Sequence, residues 1–280
     1  MPEGDTLFRI AAALRPQLTG RRIVAAAARR PGPKVELLVG ATVESVEARG
    51  KNLLIRFDAG LVLRTHLGVR GSWHRYARGE RWQFPPSRAG VVLETDAAAI
   101  VCFDPATVEL FEARAEAIHP VLSALGPDLL SVGFGEPEIE DVLRRLRDPD
   151  REATSIAEAL VDQQVMAGIG NLYKSEVLFV ERVNPFVAVG AIDDDTLRRV
   201  VETSRRLLLE NKESGHRVTT GPPVGRRLPS DSLWVYARTG KPCRRCGTPI
   251  RQRSHGALER VTYWCPSCQA IGSIARGPDA

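Results

Sequence analysis

The chain has 280 residues, of which 43% are hydrophobic and 26% charged, with a formal net charge of +5. That length suggests two domains, or two plus a small module, and the apolar share is enough for ordinary cores. No apolar run is long enough to span a bilayer and no targeting signal is evident, so the expectation is a cytoplasmic protein rather than a membrane-spanning or secreted one.

The chain opens Met-Pro-Glu-Gly-Asp-Thr. Removal of Met1 would expose the secondary amine of Pro2, with Glu3 beside it. An α-amino group titrates near about 8, so a useful fraction is unprotonated at neutral pH. Such an amine attacks a masked aldehyde to give an iminium, and a neighbouring carboxyl can protonate the departing oxygen. The alternative is structural: a proline that starts a helix, followed by an acid that suits the helix dipole. The helix is predicted from about Asp5 to Leu18, with Leu7, Ile10, Leu14 and Leu18 on one face and Gly20 closing it.

From Arg22 to Arg114 the pattern changes to short apolar or alternating runs, at 35–39, 53–57, 61–64, 91–94, 100–103 and 108–111. Gly, Pro and Asp separate them, which predicts a β-sandwich or barrel. Arg49-Gly50-Lys51-Asn52 places a lysine in a turn before a buried strand, where it either reaches a pocket or phosphate or is solvated. Gly68-Val69-Arg70-Gly71 is an apolar and cationic tip between glycines. Val69 either packs inward at a strand-to-strand turn or wedges between bases. Cys102, within Ile100-Val101-Cys102-Phe103, reads as a core residue.

Residues 119–137 are rich in Pro and Gly and read as a linker. Ile139, Val142, Leu143 and Leu146 then form a helical stripe, and Ile156, Leu160 and Gln163 a second helix. Met166-Ala-Gly-Ile-Gly170 breaks the pattern, and Asn171 opens a helix through about Val180. A long helix follows from Asp195 to Asn211, with Asp194 or Asp195 as its N-cap. Two helices joined by a glycine turn either grip a DNA backbone or form a capped hairpin without a ligand. Asn171 stands at a helix N-terminus, where the dipole attracts an anion.

A Gly/Pro/Arg loop at 213–230 leads into Cys243-Arg-Arg-Cys246 and Cys265-Pro-Ser-Cys268, with 18 residues between the pairs. This is the spacing of a four-thiolate zinc site. Two disulfides fit less well, because there is no secretory signal and Cys102 would be left over. Four protein ligands leave no open position for chemistry, so the zinc is structural. Residues 217–276 hold eleven Lys or Arg against Asp231 and Glu259, a balance of +9 against −4 for the rest of the chain. Arginine predominates there, which suits phosphate contact, although a solvated charged face has the same composition.

Taken in order, MPEG, RGK, HLGVRGSW, QQVMAGIGNLYKSEVLF and the CxxC…YWCPSCQ hairpin closely resemble the formamidopyrimidine-DNA glycosylase and endonuclease VIII family. The endonuclease VIII branch is the more similar, and the MPEGDT start resembles its actinobacterial members. The resemblance runs from Pro2 to Gln269. It implies a multidomain α and β fold: an N-terminal catalytic β-sandwich with a leading helix at 1–118, a linker at 119–137, a helix–two-turn–helix DNA-binding domain at 138–225 and a zinc-finger hairpin at 226–275.

The resemblance also implies DNA base-excision repair by a bifunctional glycosylase and AP lyase. Such an enzyme would remove oxidised bases, principally pyrimidines, and nick the abasic strand by β- or β,δ-elimination. By the same resemblance Pro2 is the nucleophile at C1′, Glu3 protonates the deoxyribose ring oxygen, and Lys51 binds phosphate and assists elimination. Asn171 holds the backbone flanking the lesion, Arg260 pinches an adjacent phosphate, Val69 is the void-filling wedge, and Gly68 and Arg70 occupy the adjoining intercalation positions. Cys243, Cys246, Cys265 and Cys268 hold one zinc ion. The implied partner is double-stranded DNA with an oxidised base or abasic site, bound by a nucleoid-associated monomer. The sequence departs from the family at Thr6, where a glutamate is usual. A non-catalytic or lyase-only abasic-site-binding protein on the same fold is therefore the alternative. An unrelated zinc-ribbon RNA-binding protein would explain the C-terminal charge but neither the N-terminus nor the Gly-Ile-Gly-Asn turn.

Overall fold

A computed structural model describes residues 2–29, 31–221, 232–256 and 259–270, in two compact units that divide between Ala124 and Leu125. In the first unit, helix α1 (Gly4–Leu18) buries Leu7, Ala11, Leu14 and Leu18, one stripe at helical spacing. Strands β2 (Val43–Arg49), β3 (Asn52–Phe57), β4 (Leu61–His66) and β8 (Thr107–Glu112) form one antiparallel sheet in that order. Strands β1 (Ala25–Ala28), β6 (Ala89–Glu94), β7 (Ala98–Phe103) and β5 (Ser72–Ala77) form the other, in the order β1-β6-β7-β5.

One buried cluster joins Leu7 and Leu18 to Val46, Leu53, Ile55, Leu63, Val91, Leu93 and Ile100, so side chains of both sheets and of α1 share a core. Each such side chain contributes roughly 1.5–3 kcal/mol by leaving water. Cys102 belongs to this cluster, as its sequence setting suggests, and burial pushes its thiol pKa up. The run at 35–39 is not a strand but a 3₁₀ turn, Val35–Leu38. Val35 and Leu38 are buried while Leu37 and Val39 are exposed, so the spacing is three and not two. Strand β1, four alanines paired with β6, has no strand signature of its own.

The second unit contains α2 (Glu136–Leu146), the short α3 (Ile156–Ala159), α4 (Asn171–Val180), α5 (Asp194–Asn211) and the hairpin β9 (Arg251–His255) and β10 (Arg260–Trp264). Glu138 accepts the Gly135 N–H at 2.7 Å and so caps α2. The N-cap of α5 is Asp193, one residue before the expected pair, and its carboxylate accepts the Thr196 N–H at 2.7 Å. Helix α3 stops at Ala159 and does not reach Gln163. The segment read as a linker packs into this unit from Leu125 onward: Leu129 and Phe134 join its core, and the Gly126 N–H donates to the Gln163 carbonyl at 2.9 Å. Residues 222–231 of the Gly/Pro/Arg loop and 271–280 lie outside the described residues. Among the described residues, no helix is long and apolar enough to cross a membrane.

Candidate functional site

In the first unit Pro2 is half-buried and Glu3, which precedes α1, is 1% exposed. The Glu3 carbonyl accepts the N–H groups of Thr6 and Leu7 at 2.9 and 3.1 Å, which fixes the start of the helix. Arg9 donates to the buried Asp5 carboxylate at 3.3 Å and to the Thr6 hydroxyl at 3.2 Å. The position expected to carry a glutamate thus carries a hydroxyl engaged by a guanidinium. Helix α1 packs on β2 and β3, and Arg15 donates to the Val46 carbonyl at 3.1 and 3.3 Å.

The turn between β2 and β3 carries Lys51, half-buried, after Gly50 at φ +58°. Asn52 closes the turn by donating to the Arg49 carbonyl at 3.2 Å, and its Oδ1 accepts from Arg64 Nε at 3.0 Å. Arg64 is 4% exposed and pairs with Glu109, which also meets His119 Nε2 at 3.1 Å. A buried guanidinium therefore supports the lysine turn. Burial, Arg64 and Lys51 together hold the His66 pKa below its ordinary value. Beyond His66, Gly68 adopts φ +62°, and a Cβ there would lie 2.8 Å from that of Ala106. Val69 is 69% exposed, so it does not pack inward, and Arg70 is exposed beside it.

In the second unit Gln163 holds the glycine turn. Its Oε1 accepts the Gly168 N–H at 3.1 Å, and its Nε2 donates to the carbonyls of Val161 and Ile169, each at 3.0 Å. Gly168, at φ +110°, occupies a conformation that side chains disfavour. Asn171 opens α4, and its Nδ2 donates to the Val261 carbonyl of β10 at 2.8 Å. Helix α4 packs on β10, which begins with Arg260, half-buried. Arg260 lines a cavity of about 450 Å³ together with Arg151, Glu158, Lys174, His255 and Thr262. Asn171 and Arg260 thus belong to two packed elements of one unit.

The burial of the charged side chains Arg64, Lys174 and Glu176 escapes a reading of the sequence. Lys174 and Glu176 lie inside the recognisable NLYKSEVLF stretch, but a charged residue on a helix ordinarily reads as solvent-facing. Glu176 accepts the N–H groups of Trp234, Val235 and Tyr236 at 2.8, 2.9 and 2.8 Å, and also the Thr219 hydroxyl. This carboxylate anchors the approach to the cysteine hairpin.

The sulfurs of Cys243, Cys246, Cys265 and Cys268 all lie within 4.8 Å of one another. Zn–S bonds of about 2.3 Å in a tetrahedron require sulfurs about 3.8 Å apart. Cys243 and Cys268 are 3.9 Å apart and Cys246 and Cys265 3.5 Å, so the four thiolates fit one structural zinc ion.

Three family models match the chain. The formamidopyrimidine-DNA glycosylase N-terminal domain covers residues 1–108, the formamidopyrimidine-DNA glycosylase H2TH domain 125–221, and the zinc finger found in FPG and IleRS 240–271. The chain belongs to the formamidopyrimidine-DNA glycosylase and endonuclease VIII family. Within that family it is 40% identical over 269 residues to the DNA-(apurinic or apyrimidinic site) lyase Nei2 of Mycolicibacterium smegmatis, spanning 96% of this chain and 99% of that one. It is 39% identical over 274 residues to endonuclease 8 2 of Mycobacterium tuberculosis, spanning 96% and 100%. The crystal structure of the MutM (Fpg) protein of Thermus thermophilus has the same fold. Its TM-score is 0.79 at 27% identity, over 97% of this chain and 100% of that one. These matches agree with the β-sandwich, the helix–two-turn–helix unit and the zinc hairpin expected from the sequence.

Proposed function

We propose that this protein is a bifunctional DNA glycosylase and AP lyase of base-excision repair. The observation that carries the reading is Pro2-Glu3, with a buried carboxyl side chain at the start of α1, in a chain 40% identical to an enzyme named as an abasic-site lyase. Once Met1 is removed, the Pro2 nitrogen attacks C1′ of the damaged nucleotide while Glu3 protonates the sugar ring oxygen. The base departs and the ring opens to an iminium on Pro2. The iminium acidifies the C2′ proton; its removal expels the 3′ phosphate, and hydrolysis of the resulting conjugated iminium then releases Pro2. Lys51, in the β2–β3 turn, supplies the cation for phosphate.

Extrusion of the nucleotide costs a few kcal/mol and is offset by backbone contacts. We assign those contacts to Asn171 and Arg260 and the wedge to Val69, between Gly68 and Arg70. The exposure of Val69 supports that assignment. The substrate is double-stranded DNA with an oxidised pyrimidine or an abasic site, bound by a monomer in the bacterial cytoplasm at the nucleoid.

One observation favours a second reading. Thr6 replaces the usual family glutamate and is held by Arg9, which suits an enzyme that processes abasic sites without excising bases efficiently. Matched duplexes separate the two readings. The bifunctional reading requires both release of an oxidised pyrimidine and nicking of an abasic strand. Nicking alone, with base release restored by Thr6→Glu, establishes the lyase-only reading. Failure to act on either duplex refutes both.

A further inference from the structure

Lys174 is 1% exposed, on a helix whose neighbouring residues Tyr173, Val177 and Leu178 belong to the core. An ammonium in such a place costs several kcal/mol unless acceptors surround it. Its Nζ donates to Asn171 Oδ1 at 2.7 Å and to Thr262 Oγ1 at 2.8 Å. One acceptor is a turn earlier on α4 and the other is on β10. An apolar side chain of similar volume would fill the same space without the desolvation cost, so packing alone does not account for the charge.

The ammonium determines which way the Asn171 amide faces. An ammonium only donates and a backbone carbonyl only accepts. An amide held between Lys174 Nζ and the Val261 carbonyl therefore has one orientation, with Oδ1 toward the lysine and Nδ2 toward Val261. The second Nδ2 hydrogen has no protein acceptor among the described residues. The adjacent positive charge also polarises the amide and strengthens that N–H as a donor to an anion. Through Thr262 the same ammonium ties the amide to the strand that begins with Arg260.

We propose that Lys174 is a positioning residue for DNA-backbone recognition: it locks the Asn171 amide with an N–H available to a phosphate oxygen and couples that amide to the zinc-hairpin strand. The proposal rests on Asn171 being a phosphate contact. It makes Lys174 act through Asn171 and not as a phosphate ligand itself.

The test is a double-mutant cycle with the zinc-loaded full chain, reading the Kd for duplex DNA with one abasic-site analogue at several salt concentrations. Lys174→Met and Asn171→Ala should each weaken binding about tenfold, the scale of one hydrogen bond to a charged group. The double variant should be no weaker than Asn171→Ala alone, and Lys174→Met should leave the salt slope of log Kd unchanged. Multiplying effects, or a slope reduced by about one for Lys174→Met, would overturn the proposal, because Lys174 would then act independently or touch phosphate directly. If Lys174→Met loses zinc or melts well below the parent, Thr262→Val replaces it in the cycle. That change removes an acceptor of Lys174 and no contact of Asn171, and the same non-additivity with Asn171→Ala is required. Wild-type protein that fails to prefer the abasic duplex over an undamaged one defeats the functional reading and the proposal together. A preference with independent single effects defeats the proposal alone.

Discussion

At position 3 a carboxyl side chain sits almost wholly out of water at the start of a helix, one residue from the amine that would carry the chemistry. If Glu3 is the proton donor to the sugar, Glu3→Gln should lower the rate of base release by roughly 10²–10⁴-fold, the usual worth of a positioned acid, with little change in melting temperature. Single-turnover assays on an oxidised-pyrimidine duplex measure it; a loss under about threefold would remove Glu3 from the mechanism. His66 offers a pH test. Its folded-state pKa lies below the ordinary value, chiefly through burial, and then through Arg64 and Lys51. Between the folded and the unfolded pKa, the unfolded chain binds more protons, so stability falls as pH drops below about 6.5. His66→Gln should flatten the decline in melting temperature between about pH 7.5 and 5.5; an unchanged decline would assign it to other groups. Gly68 tests the loop. It sits at φ +62°, and a Cβ added there would meet the Ala106 side chain at 2.8 Å. Gly68→Ala should therefore cost about 1–3 kcal/mol, measurable by denaturant unfolding. These residues differ in legibility. Pro2, Glu3 and Lys51 stand in motifs that a sequence displays. Arg64 and Lys174 do not, because a sequence shows a charge but not its burial.

Among the elements, the zinc hairpin was the most legible, since two Cys pairs 18 residues apart specify a metal site without help from packing. Helices α1, α2 and α5 follow from apolar spacing, and only their caps needed the structure. Strand β1 was not legible: Ala25–Ala28 forms a strand through its pairing with β6, a contact distant in sequence that local propensity does not report. The 35–39 run misleads because an apolar stretch bounded by turn residues fits a strand or a 3₁₀ turn equally, and only the burial of Val35 and Leu38 decides. The glycine turn before α4 depends on one side chain, Gln163, which makes three hydrogen bonds to it and its approach. Gln163→Ala should destabilise the protein by about 1–3 kcal/mol and weaken duplex binding by a similar factor at low and high salt. Thermal unfolding and fluorescence anisotropy check the two effects; normal affinity in a folded variant would detach the turn from DNA contact.

For the molecule as a whole, charge placement matters more than the total. The excess of +9 falls within residues 217–276, the stretch of sequence that includes the four cysteines, while the rest of the chain carries −4. Duplex affinity should therefore fall by at least about tenfold between 50 and 200 mM salt, as counterions compete for phosphate. Chelating the zinc should abolish that binding while the sandwich core of residues 1–124 keeps its amide resonances, because the thiolate site closes the hairpin and lies in the other unit. Retained affinity after verified metal loss would separate the basic segment from DNA binding. The central claim is covalent chemistry at a free Pro2, and borohydride trapping on a duplex with a single abasic site tests it most directly, with intact mass confirming loss of Met1. A stable protein–DNA adduct, absent in Pro2→Gly and in a Met1-retaining form, is the predicted result. An adduct of equal yield in Pro2→Gly, or none from the processed protein, would contradict the account.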